Sequence, residues 1–203
     1  INGTNGTGKS AVLKLIKCLH QPNRGAVKID GFDIRQLNPN DLRQKIAYAP
    51  RNPHFYEGSI ADNLRLSYPL VSDEDLEEAL KKADVWEDVQ SMPEGINTII
   101  GTHNGVRITH NCASRLSLAR IYLHPGSIVL IDELPNTLLS STAGINLKKY
   151  LHDVKGKKTV ILCSYRRDFM ELADTIVWLR GVLPPLCGER DTILNQMGET
   201  SYG

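Results

Sequence analysis

Near the start of the chain, Gly3-Thr4-Asn5-Gly6-Thr7-Gly8-Lys9-Ser10 has the form G-x-x-x-x-G-K-[ST]. Residue types at this spacing can cradle phosphate. The glycines let main-chain N–H groups turn inward, Lys9 supplies a point charge, and the Ser10 hydroxyl can ligate Mg²⁺. Far downstream, Ile128-Val129-Leu130-Ile131 runs straight into Asp132-Glu133. The first carboxylate after such an apolar run emerges at the C-terminal edge of a buried parallel strand, where open α/β sheets hold ligands. Asp132 suits Mg²⁺, held through water. Glu133 suits a general base toward water attacking a terminal phosphate. The competing reading of Asp132-Glu133 is a pair of carboxylates at the start of the next helix.

These groups need elements to hold them. Ala11–Leu19 has apolar residues at helical spacing, so the loop empties into a helix N-terminus whose dipole favours an anion. Strands are expected at Gly25–Gly31, Ile46–Pro50, Ile128–Ile131, Thr159–Cys163 and Thr175–Leu179. Helices are expected at Asp41–Arg43 (a short turn), Gly58–Leu66, Ser72–Ala83, Ala113–Leu123 and Ala143–Val154. Ser72 with Asp75 resembles a capping box, and Leu76, Ala79, Leu80 and Ala83 form the apolar stripe behind it. Strands alternating with helices give an α/β class with a parallel sheet. The mostly helical stretch from about 58 to 123 reads as an inserted helical subdomain. Gly181–Gly203, broken by Pro184-Pro185, reads as loop and tail.

With 203 residues the chain is long enough for one domain with a real core. Lys and Arg number 24 and Asp and Glu 23, a net charge of +1, so bulk charge offers no pull toward nucleic acid or an anionic membrane surface. Cys18, Cys112, Cys163 and Cys187 form no C-x-x-C pair and read as reduced thiols. No apolar run approaches the roughly 18 residues that a membrane span needs. Only Ile1 and Asn2 precede the loop, where a buried strand is expected, and the chain does not begin with Met. It is therefore expected to be a fragment.

Taken together, the chain resembles an ABC transporter nucleotide-binding domain from Gly3 to about Gly188. The wording is most similar to type I secretion exporters. Val27–Leu37 with Asp41-Leu42-Arg43, Phe55-Tyr56-Glu57-Gly58-Ser59-Ile60, and Arg115–Arg120 carry that likeness. The resemblance implies a P-loop NTPase-type parallel sheet core with an inserted helical subdomain, the whole of 1–203 being one ABC-type ATP-binding domain. It implies ATP and Mg²⁺ as cofactors. It also implies a head-to-tail dimer with a second nucleotide-binding subunit, closing on two ATP molecules and driving a transmembrane partner. The place it implies is the cytoplasmic face of a bacterial inner membrane, with export of a protein as the task.

Several family positions depart from the pattern. The glutamine expected after Ala49-Pro50 is Arg51, whose guanidinium cannot ligate a metal. It must repel Mg²⁺, swing out, or pair with phosphate. The signature LSGGQ is replaced by Ile108-Thr109-His110-Asn111-Cys112, with one extra residue between Gly101 and the motif. His110 and Asn111 stand where the family's glycines admit a partner's γ-phosphate. His110 and Cys112 are metal-ligand types, but no third and fourth ligand is evident. The switch histidine falls on Tyr165, which does not become a cation near neutral pH. The aspartate ending the D-loop falls on Leu139. Arg51 and Tyr165 belong with this chain's own loop, and Ile108–Cys112 with the partner's, so both composite sites carry departures. The resemblance thus implies an exporter motor domain that binds ATP–Mg²⁺ and hydrolyses it slowly. The alternatives are a catalytically inactive regulatory pseudo-ATPase, a decayed gene copy, and a soluble ABC-type ATPase acting on DNA or ribosomes. Balanced charge and the exporter-like Phe55–Ile60 segment argue against the last.

Overall fold

Two four-residue apolar runs organise the region that carries the acidic pair. In a computed structural model that describes residues 1–66, 68–101 and 105–199, both are strands, and they pair in parallel. In chain order the elements are β1 (Asn2–Gly3), α1 (Lys9–Ile16), β2 (Lys28–Ile29), β3 (Phe32–Asp33), α2 (Pro39–Gln44), β4 (Ile46–Ala49), β5 (Gly58–Ser59), α3 (Ile60–Arg65), α4 (Asp73–Lys82), α5 (Trp86–Gln90) and β6 (Ile99–Ile100). They continue as α6 (His110–Leu123), β7 (Ile128–Ile131), α7 (Asn136–Leu139), α8 (Thr142–Asp153), β8 (Thr159–Leu162), α9 (Arg167–Met170), β9 (Thr175–Arg180), β10 (Leu183–Glu189) and α10 (Arg190–Glu199). The chain forms two compact units, 1–43 with 161–203, and 44–160.

In the 44–160 unit β4 and β7 lie side by side, with Ile46 opposite Ile128 and Ala49 opposite Ile131. Val129, Leu130 and Ile131 are fully buried, as a strand covered on both faces requires. The Asp132 N–H donates to Ala49 O at 2.8 Å, extending the ladder one residue past β7. Helix α6 lays Leu116, Leu118, Ala119 and Ile121 into this core. Ser72 and Asp75 close the capping box that starts α4, and its expected stripe of Leu76, Ala79, Leu80 and Ala83 is buried. Emptying one such Leu to Ala costs about 2–5 kcal/mol. Gly58–Leu66 divides: Gly58-Ser59 pairs antiparallel with Ile99-Ile100, and Ser59 then caps α3 in a second box with Asp62. Gly101 lies at φ +82, and a Cβ there would run into the Tyr56 carbonyl.

In the other unit, Asn2 and Gly3 pair in parallel with Trp178 and Leu179 of β9, and β10 runs antiparallel along the other side of β9. Three expectations change here. Gly181–Gly203 is not all loop: β10 and α10 fill 183–199, and Ile193 of α10 is buried. Pro184 and Pro185 are tolerated because β10 is an edge strand with a register shift between Leu183 and Leu186, where a missing N–H breaks no ladder. The final four residues of the expected tail lie outside the described residues. Helix α1 stops at Ile16 rather than Leu19, because Cys18 turns left-handed at φ 53. The single strand expected at Gly25–Gly31 is a two-stranded hairpin of β2 and β3. Among the described residues no helix is long and apolar enough to cross a membrane.

Candidate functional site

The loop at 3–10 is shaped by its glycines. Gly6 and Gly8 sit at φ 83 and 97, left-handed values that other residues resist. A Cβ would meet nothing within 4 Å at either position, so the demand there is conformational and the space beside them is open. Gly3 is different: a Cβ would lie 2.6 Å from Leu179 O and 2.7 Å from Thr7 Oγ1. Close packing against β9 therefore dictates that glycine. Thr7 donates from its hydroxyl to Thr4 O at 2.8 Å, holding the loop's bend.

The loop ends in the first turn of α1. Gly8 stands at its N-cap with no side-chain cap, and the first turn carries no acidic residue. No side chain caps that turn, and its dipole suits an acceptor from outside. The Lys9 ammonium is buried within the loop, donating to Gly3 O at 2.5 Å and Thr4 O at 3.1 Å. Thr4, Asn5 and Gly6 are exposed, and Thr7, Gly8 and Ser10 half-buried. An open glycine cradle, an uncapped helix start and a lysine folded into the loop fit a phosphate-bearing ligand. Tyr165 belongs to the same unit and is 51% exposed. It follows Ser164, whose N–H donates to Ile1 O at 3.1 Å and whose carbonyl accepts from Asn2 Nδ2 at 3.1 Å. Asn2 is buried and also donates to Met170 Sδ at 3.2 Å, so the tyrosine's anchor is the stretch just before the loop.

The acidic pair stands at the end of β7 in the other unit. Asp132 is 2% exposed, and its Oδ1 accepts from the Glu133 N–H at 2.9 Å. Among the described residues it has no ion-pair partner. A buried carboxylate without a counter-charge is costly, and this one fits a hard cation. Glu133 is 8% exposed and pairs through Oε2 with Arg51 Nη1 at 3.1 Å. Within this chain Arg51 turns to the neighbouring carboxylate. The register explains why. Ala49 sits opposite Ile131, so the residues two places beyond each strand, Arg51 and Glu133, leave the same edge side by side. No group of three or more acidic, His or Cys side chains poised for a metal occurs among the described residues, so His110 and Cys112 stand without further ligands.

The signature positions lie at the N-terminus of α6, which begins three residues earlier than expected. Thr109 is its N-cap, with Oγ1 accepting from the Cys112 N–H at 3.2 Å. His110 and Asn111 occupy the first turn with exposed side chains, Ile108 is half-buried and Cys112 is buried. Burial pushes the Cys112 thiol up to about 11, with Asp88 adding to the rise and Arg115 opposing it, so it stays protonated near neutral pH. The extra residue expected between Gly101 and the motif falls in a stretch that includes 102–104, outside the described residues. Leu139 is buried at the end of α7 and packs inside the fold.

Sequence reasoning did not find the brace beneath the segment after Arg51. Arg120, on α6, donates to Asn63 O at 3.0 Å, Asn63 Oδ1 at 3.0 Å and His54 O at 3.2 Å, with its guanidinium 4.3 Å from the Phe55 ring centre. Asn63 in turn donates to Tyr56 O and Ser59 O, and accepts from the Tyr56 N–H. Burial pulls the Arg120 pKa down to about 10, so the group remains a cation at neutral pH. The only sequence signal was indirect: an arginine on an otherwise apolar, small-residue helix face.

The chain is 33% identical over 177 residues to a probable ABC transporter ATP-binding/permease protein of Haemophilus influenzae, covering 87% of this chain and 32% of that protein. It is 28% identical over 197 residues to the ATP-dependent lipid A-core flippase of Francisella tularensis subsp. holarctica, covering 97% of this chain and 32% of the flippase. The chain spans about a third of the length of these bacterial relatives. A bacterial Atm1-family ABC exporter solved with ATP bound shares the fold, with a TM-score of 0.80 at 22% identity, covering 96% of this chain and 34% of that one. The model of the ABC transporter family matches residues 1–136, taking in both the loop and the acidic pair, and the chain belongs to that family.

Proposed function

We propose that the chain is the ATP-binding motor domain of an ABC exporter, similar to those of type I protein secretion, and that it hydrolyses ATP slowly. The observation that carries the proposal is the open loop of left-handed glycines leading into an uncapped helix with Lys9 folded into it. In this reading, main-chain N–H groups of Gly3–Ser10 and the Lys9 ammonium bind the phosphates. Ser10 and Asp132 hold Mg²⁺. When bound, the ion neutralises charge on the β- and γ-phosphates. Glu133 takes a proton from the attacking water. Arg51 and Tyr165 stand at the positions of the γ-phosphate sensors and lack their chemistry. Ile108–Cys112 faces the nucleotide of a second nucleotide-binding subunit, and a transmembrane domain completes the transporter. Residues 1–203 act as one ATP-binding domain, with residues 58–123 as its helical subdomain, on the cytoplasmic face of a bacterial inner membrane. No nucleic-acid partner is proposed, in keeping with the balanced charge.

Losing several γ-phosphate contacts costs on the order of a thousand-fold in rate. The test is steady-state ATP turnover by the intact transporter, with and without the paired change Arg51→Gln and Tyr165→His. Low turnover that rises in the double variant supports the reading. Turnover ordinary for an ABC exporter in the unaltered protein overturns the slow-hydrolysis part. One observation favours a second reading, a regulatory pseudo-ATPase that binds nucleotide without useful turnover: the Arg51–Glu133 pair engages the one carboxylate assigned to water. Nucleotide affinity with no hydrolysis, even beside a partner subunit, selects it.

A further inference from the structure

We infer that Arg51 acts as a positioning residue that locks Glu133, so that slow hydrolysis stems from an occupied general base and can be unlocked at a single position. This rests on the reading of Glu133 as the base in the proposed function. A base must have an oxygen within hydrogen-bond reach of the water whose proton it takes. Here Oε2 of Glu133 lies 3.1 Å from Nη1 of Arg51, so the guanidinium stands in the place from which a water would donate to that oxygen. The two partners differ in burial: the Glu133 side chain is 8% exposed and that of Arg51 56% exposed. The carboxylate is therefore fixed in the protein while the cation reaches it from the solvent side. This is unlike an ion pair between two exposed side chains, which contributes little. The pairing is also built in by backbone, because the Ala49–Ile131 register delivers both residues to one edge.

The lock requires a cation, not a particular shape. Arg51→Lys keeps the charge and keeps the lock, whereas Arg51→Gln removes it and offers a side chain that can hydrogen-bond water. The experiment is a cycle of the full chain, Arg51→Gln, Glu133→Gln, the two together, and Arg51→Lys. Three quantities are read on each: Mg²⁺–ATP affinity by calorimetry, single-turnover cleavage of ATP, and, without nucleotide, the ¹³C resonance of the Glu133 carboxyl carbon, assigned by its loss in Glu133→Gln. Arg51→Gln is expected to raise the single-turnover rate about a hundredfold. The whole gain is expected to vanish when Glu133→Gln is added. Arg51→Lys is expected to stay near the unaltered rate. The Glu133 resonance should move in Arg51→Gln and move less in Arg51→Lys. Binding with additive effects of the two substitutions, or an Arg51→Lys chain as fast as Arg51→Gln, or an unmoved resonance, overturns the lock and leaves the ATP-binding reading standing. Absence of Mg²⁺–ATP binding in every variant overturns the ATP-binding reading itself.

Discussion

Replacing Arg120 with Ala tests the brace beneath the 54–63 segment. The side chain makes three hydrogen bonds to Asn63 and His54 and stacks on Phe55 at 4.3 Å. A hydrogen bond from a charged donor is worth about 1.5–3 kcal/mol, and a partly desolvated cation–π contact about 1–2 kcal/mol. Against these stands the cost of taking the guanidinium out of water, visible in its lowered pKa. Truncation also takes a donor from the Asn63 carbonyl and from Asn63 Oδ1, which keeps the Tyr56 N–H. The net loss should be about 3 kcal/mol. With a urea dependence of about 2 kcal/mol per molar, the unfolding midpoint should fall by about 1.5 M. Arg120→Lys should recover less than half, because an ammonium cannot fork to two acceptors of one residue while lying flat on a ring. Limited proteolysis should begin to cut between His54 and Gly58. A loss below about 1 kcal/mol, the range of an exposed interaction, would mean that Arg120 braces nothing.

Two further outcomes follow from local geometry. Gly3→Ala should cost about 2–3 kcal/mol in urea unfolding and abolish nucleotide binding, because its Cβ would lie 2.6 Å from the Leu179 carbonyl and only backbone movement relieves that. Tyr150→Phe should be neutral or stabilising by about 1 kcal/mol at pH 7, since the Tyr150 hydroxyl is buried with no hydrogen-bond partner among the described residues. The same ring gives a pH dependence: burial raises the Tyr150 pKa from 10.0 to about 12. The unfolded chain ionises first, so this contribution is whole below pH 10 and is lost as the pH rises to about 12. Stability measured across that window should decline less steeply in Tyr150→Phe than in the unaltered chain.

Much of the architecture was legible because it obeys local rules. The glycine spacing of 3–8 declares a left-handed loop, Ser72 with Asp75 declares a helix start, and the apolar run at 128–131 declares a buried strand. What was missed depends on partners distant in sequence. Pro184-Pro185 reads as a break until β10 is seen to be an edge strand. The start of α6 was hidden because His110 and Asn111 are weak helix formers, and only the bond from Cys112 N–H to Thr109 Oγ1 marks the cap. At the candidate site the residue types were readable, but the engagement of Glu133 by Arg51 was not. It becomes visible only with the parallel register of β4 and β7, which no single-strand pattern contains. Once that register is assumed, counting two residues past each strand finds the pair.

Every proposed role depends first on the glycine loop holding a nucleoside triphosphate with its metal. Calorimetry of the intact protein with ATP, with and without Mg²⁺, measures this directly, and Lys9→Ala removes the charge that lies against Gly3 and Thr4. Mg²⁺-dependent binding is expected, weakened about tenfold to a hundredfold in Lys9→Ala by the loss of one or two charge-assisted hydrogen bonds. No Mg²⁺-dependent uptake of ATP, or equal affinity in Lys9→Ala, would contradict it.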